Sequence, residues 1–409
     1  MYRGLSPTNY ALIIINNMIQ SYYLIQSRCS NWLRWRPTSA QELDRAENKV
    51  LSFLKNPFRS YHVDIGRVGG LDNNKIWTLE MTPKVQPLRR GQNANQMAAN
   101  TAANAPPLVM IHGFASAVGL WTLNLDSLLE TNRKIYAFDI LGFGKSSRPV
   151  LSAGDACELD LVDSIERWRS RVGLDQKFVL LGHSFGAYLA AAYALQHPER
   201  VSHLILADPW GMPSQQMNQT LNQHRIQLPM WARMVSKIVQ LFTPLAGLRA
   251  AGPWGPGLVQ KLRPDIKRKF EQMAGEGNAE CFLEYIYHCN AQPVPSGEMA
   301  FKSMATGFGW AKNPMLDRMP ELHPAINVTF IYGSKSWVDR QPGFQTKYIL
   351  GDRVNVEVIQ GSGHHVYADD AEEFNRLVAD VCHAEDRRLN APAVDSDESD
   401  EERVQTLTD

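Results

Sequence analysis

Short apolar runs alternate with helix-length stretches through the middle of the chain. Residues 108–111, 134–139, 177–181 and 201–207 are rich in β-formers, and each is followed by a segment of helical composition. Strands alternating with helices at this spacing predict an α/β fold, a mostly parallel sheet with helices on both faces. Residues 76–81 read as an earlier strand, separated from 108 by a linker over 92–107 rich in Asn, Ala and Gln. After Pro209-Trp210-Gly211 the strand pattern stops, and helical stretches carry Trp231, Trp254, Phe270, Phe282, Tyr285 and Phe308. The pattern resumes at 328–332 and 354–359. The intervening aromatic insertion reads as a helical lid, with packing of its own aromatics as the alternative. A final helix over 371–382 keeps Phe374, Leu377, Val378 and Val381 on one face. The resulting organisation is an N-terminal segment (1–60), two core parts (61–211 and 325–383), a cap (212–324) and an acidic tail (384–409).

A chain of 409 residues accommodates one large α/β domain with such an insertion. Lys plus Arg and Asp plus Glu are equal at 42 each, which gives no reason to expect a nucleic-acid partner. The balance hides an asymmetry: from Ala384 onward nine acids face three arginines, so the body is mildly basic and biased toward anionic surfaces such as phospholipid headgroups. That tail is expected to be disordered, and its Ser396 and Ser399 sit among acids. Five scattered cysteines without a Cys-x-x-Cys pair suggest neither a disulfide framework nor zinc, and fit a reducing compartment. No metal or cofactor is expected. Residues 10–25 are largely apolar, but Asn16, Asn17, Gln20 and Ser21 interrupt them; the uninterrupted run is too short to span a bilayer and no small-residue cleavage site follows, so a helix lying on protein or membrane is expected rather than a span or a leader. Just beyond, Trp32 and Trp35 alternate with Arg34 and Arg36, which suits shallow attachment at a membrane interface; burial of both tryptophans is the alternative.

The sharpest chemical signal is Gly182-His183-Ser184-Phe185-Gly186, entered by an apolar strand and left by a small-residue helix. A serine on so tight a strand-to-helix turn is a candidate nucleophile, and the residues two before and two after it must nearly touch, hence the glycines. A serine needs a base, and the base an acid, in the chain order serine, acid, histidine. His364, in the Gly-rich loop after the last strand, is the expected base, in preference to His365. Asp339, after the strand at 328–332, is the expected acid, with Asp208 after the preceding strand as the alternative. The backbone N–H groups of Phe114 and Phe185 are candidate oxyanion donors, and His112 braces the loop before Phe114. Gly142 to Ser146 resembles a phosphate loop, but Asp139 stands where that pattern requires glycine, so a tight turn is expected. His364-x4-Asp369 has the spacing of glycerolipid acyltransferases, although Asp369 with Glu372 also reads as a cap for the final helix.

Together these residues resemble the α/β-hydrolase family, and within it the branch of abhydrolase domain-containing proteins 4 and 5. The resemblance covers most of the chain and rests on Asn74 to Thr78, Leu141 to Pro149, His203 to Gly211, Ser336 to Asp339 and Gly363 to Asp369. It implies an α/β-hydrolase fold and lipid work: hydrolysis of (lyso)phospholipids, including N-acylphosphatidylethanolamines, or of neutral glycerolipids. It also implies two alternatives, lysophosphatidic acid acylation through the His-x4-Asp motif and non-enzymatic coactivation of a triglyceride lipase on lipid droplets. The coactivator of that branch carries asparagine where this chain has Ser184, which favours hydrolysis here. Its aromatic droplet anchor is similar to the region of Trp32 and Trp35. The implied setting is cytoplasmic and peripheral, on droplets or on endoplasmic reticulum or mitochondrial membranes, with a glycerophospholipid substrate and a lipase or droplet coat protein as partner. Ala187, where a second glycine is usual, and the 92–107 linker depart from the branch.

Overall fold

Nearly continuous apolar runs exclude water from both faces of a strand, and here they line up as the centre of a single sheet. The computed structural model describes residues 38–84, 105–213, 243–275, 277–306 and 310–390. Its sheet has eight strands: β1 (Phe58–Val68), β2 (Leu71–Met81), β3 (Leu108–Ile111), β4 (Ile135–Phe138), β5 (Phe178–His183), β6 (Val201–Ala207), β9 (Asn327–Gly333) and β10 (Val354–Ile359). A separate short antiparallel pair, β7 (Ala305–Thr306) and β8 (Trp310–Ala311), precedes β9. The order across the sheet is β1-β2-β4-β3-β5-β6-β9-β10. β2 is antiparallel to both its neighbours, and β4, β3, β5, β6, β9 and β10 run parallel. The loops leaving β3, β5, β6, β9 and β10 therefore emerge at one edge, where open α/β sheets bind their ligands.

Alternation along the strands divides the core in two. Leu108 and Met110 of β3 join the cluster under α1 (Ala40–Leu51), α2 (Thr122–Leu129) and α12 (Ala371–Asn390). Val109 and Ile111 join that under α3 (Asp155–Arg171) and α4 (Phe185–Gln196). α4 is buried from Phe185 to Ala194, and its alanines let it lie close to the sheet. β1 has no counterpart among the expected strands. It is a one-sided edge strand in which Val63, Ile65 and Val68 are buried between exposed residues, with a register shift at Gly66 blurring the alternation.

Both ends of the described chain are more tightly built in than composition suggests. α1 is capped by Ser39, whose hydroxyl accepts from the Glu42 amide, and it buries Leu43, Ala46, Val50 and Leu51. Its Glu47 accepts from the Trp77 indole at 2.9 Å and the Tyr285 hydroxyl at 3.1 Å, and pairs with Lys145 at 3.2 Å. Residues 40–60, expected to belong to a membrane-associating segment, thus pack on core and cap, while Trp32 and Trp35 lie outside the described residues. At the other end α12 continues past Cys382 to Asn390. Asp386 pairs with the buried Arg133 at 2.7 Å, and Glu385 with Arg388 at 2.7 Å, so the first charges assigned to the tail belong to a docked helix.

The described part of the insertion between β6 and β9 is mainly helical, as expected: α5 (Ala246–Ala251), α6 (Gly255–Leu262), α7 (Pro264–Ala274), α8 (Glu280–Asn290) and α9 (Ser296–Met304) precede the β7–β8 pair. Phe270 stacks on Phe282 at 3.9 Å and Tyr285 is buried, so these aromatics hold the cap together and to α1. Trp254 is exposed, and Trp231 and Phe308 lie outside the described residues. α10 (Gln341–Leu350) and the single turn α11 (Val366–Asp369) complete the second core part. Cys157, Cys281, Cys289 and Cys382 are free and buried. No helix among the described residues is long and apolar enough to cross a membrane.

Candidate active site

The turn between β5 and α4 forces Ser184 to φ 54°, ψ −116°, a conformation unfavourable for any residue with a side chain. Glycines make it attainable. A Cβ on Gly182 would overlap the Gly186 carbonyl, and one on Gly186 would overlap the carbonyls of His112 and Ile111. The serine is thereby held out at the C-terminal edge of the sheet.

His364 lies in the loop after β10, with its Nε2 2.9 Å from Ser184 Oγ. Its Nδ1 lies 2.5 Å from Asp208 Oδ2. A carboxylate accepts, so Nδ1 carries the proton and Nε2 presents a lone pair to the serine hydroxyl. Asp208 also accepts from the Gly333 amide at 3.2 Å and from the Ser336 hydroxyl. Burial raises the Asp208 pKa, countered by the Ser336 hydroxyl and the Gly333 amide. Burial, with the cations Lys269 and Arg263 nearby, holds His364 below the ordinary histidine value, which leaves its base form available.

The acid beside the histidine is Asp208, which corrects the expectation of Asp339. Asp339 is exposed and accepts from the Gln341 amide at 2.9 Å, at the start of α10. The physical reason is strand order. Asp208 follows β6 directly at positive φ, beside β5 and its serine, and the loop after β9 presents Ser336 to it.

Asp369 also differs from its expected role. The cap of α12 is Asp370, whose Oδ1 accepts from the Glu373 amide at 3.1 Å and whose φ of −142° is the extended backbone of a cap. Asp369, inside the preceding turn, accepts from the Gly363 amide at 2.9 Å and pairs with Lys269 at 3.2 Å. It therefore steadies the loop that carries His364. His183 does the same from the other side, donating from Nε2 to the His364 carbonyl at 2.8 Å. Nothing in the spacing singles out this residue beyond its place next to the serine.

The expected oxyanion donors, Phe114 and Phe185, belong to the two segments that flank the serine. A Cβ on Gly113 would stand 3.1 Å from the Ser184 Cβ, so the loop after β3 runs against the serine. Phe185 is the first residue of α4, and its N–H belongs to the unsatisfied helix start. His112 is a brace: its Nδ1 lies 2.8 Å from the Gly113 carbonyl, and its Nε2 accepts from the Ile140 amide at 3.0 Å. The half-buried Phe301 of the cap meets Phe114 at 4.4 Å, Trp210 at 4.7 Å and Phe185 at 5.2 Å, giving this flank an apolar wall. The Gly142 to Ser146 segment is a tight turn closed on Asp139, which accepts from the Lys145 amide at 2.8 Å; the Lys145 ammonium is taken up by Asp44 and Glu47.

The family model described as the alpha/beta hydrolase fold matches residues 106–371. The human protein named 1-acylglycerol-3-phosphate O-acyltransferase ABHD5 is 44% identical to this chain, over 84% of it and 90% of the relative. The bovine (Lyso)-N-acylphosphatidylethanolamine lipase is 42% identical over 85% of this chain and 94% of its own length. Among solved structures, naproxen esterase from Bacillus subtilis superposes with a TM-score of 0.55 at 16% identity, covering 83% of this chain and 96% of the esterase. A bacterial membrane phospholipase A gives 0.54 at 18% identity, covering 92% and 100%. These two likenesses speak to the fold.

Proposed function

The chain belongs to the α/β-hydrolase fold family, and from that membership we propose that it is a serine lipid hydrolase cleaving acyl esters of (lyso)phospholipids through an acyl-enzyme. The observation that carries this reading is the hydrogen-bonded series Ser184–His364–Asp208 set on a strained turn. The relatives' names supply the lipid class, and N-acylphosphatidylethanolamines and neutral glycerolipids are the candidate variants within it.

Each group has one task. His364 Nε2 takes the hydroxyl proton as Ser184 Oγ bonds to the ester carbonyl carbon, and Asp208 stabilises the resulting imidazolium. The carbonyl oxygen becomes an anion accepted by the Phe114 and Phe185 amides. The C–O bond to the alcohol then breaks, and His364 returns its proton to the departing alkoxide. Water, deprotonated by the same histidine, attacks the acyl-serine and releases the fatty acid. The aromatic wall of Phe114, Trp210 and Phe301 suits the acyl chain.

The deciding experiment is a lipid-panel assay of wild type against Ser184→Ala: fatty acid released from phospholipids by wild type alone is expected, and equal release by both proteins would refute the reading. A second reading is supported by the name of the human relative, 1-acylglycerol-3-phosphate O-acyltransferase: a lysophospholipid replaces water in the last step, giving an acyltransferase. A labelled acyl donor with lysophosphatidic acid separates the two, since labelled phosphatidic acid appears only in the transfer reaction. In the coactivator alternative, Ser184→Ala would stimulate a partner lipase as well as wild type while wild type shows no turnover. Attachment to droplets or intracellular membranes through Trp32 and Trp35 is part of the proposal; exchanging both for alanine is expected to abolish flotation with liposomes.

A further inference from the structure

Beside His364 the surface opens into a cleft of about 550 Å³ whose charged lining comes from both the cap and the core. Arg263 and Lys269 are held in place by acids: the guanidinium forks onto Asp265 with two bonds of 2.9 Å, and the ammonium sits 3.2 Å from both Asp265 and Asp369. Arg268 and Lys335 also line the cleft, with no acid paired to either among the described residues. Four cations thus face two carboxylates, and the excess positive charge sits on Arg268 and Lys335. Gly361 and Gly363 leave the floor open to close approach, and Trp337 forms a wall.

We infer that this cleft binds the phosphate of a phosphomonoester or phosphodiester on the alcohol side of the substrate, with Arg268 and Lys335 as the residues that select for it. This deepens the hydrolase reading and rests on it. The location follows from the proton path. His364 hands its proton to the departing alcohol, so what lies next to His364, away from the aromatic wall, is the alcohol and not the acyl chain. In a glycerophospholipid that alcohol carries the phosphate. The pre-oriented Arg263 and Lys269 complete an anion site that matches a phosphomonoester of charge about −1.5 to −2 and also accommodates the singly charged phosphodiester. The same place would receive a lysophospholipid as acyl acceptor.

The test has a binding arm and a turnover arm, and uses the full chain. In calorimetric titrations, Ser184→Ala protein is expected to bind sn-glycerol 3-phosphate and not glycerol. The added pair Arg268→Gln and Lys335→Gln, both exposed and so tolerant of exchange, should weaken that binding at least tenfold. Inorganic phosphate should bind more weakly than glycerol 3-phosphate; equal or tighter binding would mark a free-phosphate site and overturn the headgroup assignment. In the turnover arm, the ratio of kcat/KM for lysophosphatidic acid to that for an uncharged monoacylglycerol should fall tenfold or more in the double variant, and an unchanged ratio would overturn the inference. Loss of co-sedimentation with anionic vesicles, with glycerol 3-phosphate binding intact, would assign the cations to a membrane surface instead. If wild type cleaves no lipid yet glycerol 3-phosphate binds through these two residues, the hydrolase reading fails and the anion site stands. The reverse outcome separates them the other way.

Discussion

At the scale of single residues, the decisive competition is between two aspartates. Serine, acid, histidine is satisfied in chain order by both Asp208 and Asp339, and both follow a strand, so sequence position does not choose between them. Geometry does, because only Asp208 lies within hydrogen-bond reach of His364. Asp208→Asn is expected to lower kcat on an acyl ester by on the order of 10³- to 10⁴-fold, through loss of the correct tautomer. Asp339→Asn should stay within about twofold of wild type, as exchanges at exposed turns do. A steady-state assay of the two variants checks this, and equal losses would return Asp339 to the triad. The pH dependence belongs to the same scale. A base must be neutral, and burial with Lys269 and Arg263 lowers the pKa of His364. The acid limb of kcat/KM should therefore lie below the ordinary histidine value of about 6.5. Lys269→Gln should move that limb to higher pH, and a limb already above 6.5 in wild type would contradict the electrostatic account.

At the scale of elements, near-neighbour sterics made the nucleophile turn legible. Gly182 and Gly186 are required because any Cβ there meets backbone, which cannot give way. Gly186→Ala is expected to abolish turnover and to lower the melting temperature, read by circular dichroism. Helix ends are decided by a single residue's φ and ψ, and here the cap expected at Asp369 falls one residue later, at Asp370. Asp370→Ala should cost about 1 kcal/mol of stability in urea titrations, the usual value of a cap. Asp369→Ala should chiefly lower activity, by releasing Gly363 and with it the His364 loop. The edge strand β1 is hidden in the sequence for a related reason: its shift at Gly66 breaks the two-residue alternation that marks half-buried strands.

At the scale of the whole molecule, charge was the least legible property. Composition assigns the acids after Ala384 to a solvated tail, yet Asp386 neutralises Arg133, a guanidinium fully buried in the core. Ending the chain at residue 383 should strand that cation and lower stability by about 2 kcal/mol or more, a loss that urea titration of the truncated and full-length proteins measures. Glu47 is the corresponding node at the other end, where core, cap and α1 meet through Trp77, Lys145 and Tyr285. Its contacts lie up to 238 residues away in sequence, beyond the reach of any periodicity. The sequence by itself determined what depends on local geometry: the apolar strands, the strained serine between two glycines, the histidine after the last strand and the helical nature of the cap. Only the tertiary structure decided which carboxylate meets that histidine and that Arg263, Arg268, Lys269 and Lys335 converge beside it. Those outcomes depend on strand order and on how the cap folds back over the sheet edge. A linear pattern carries the identity of each charge but not the distance between charges, and electrostatic interaction is a function of distance.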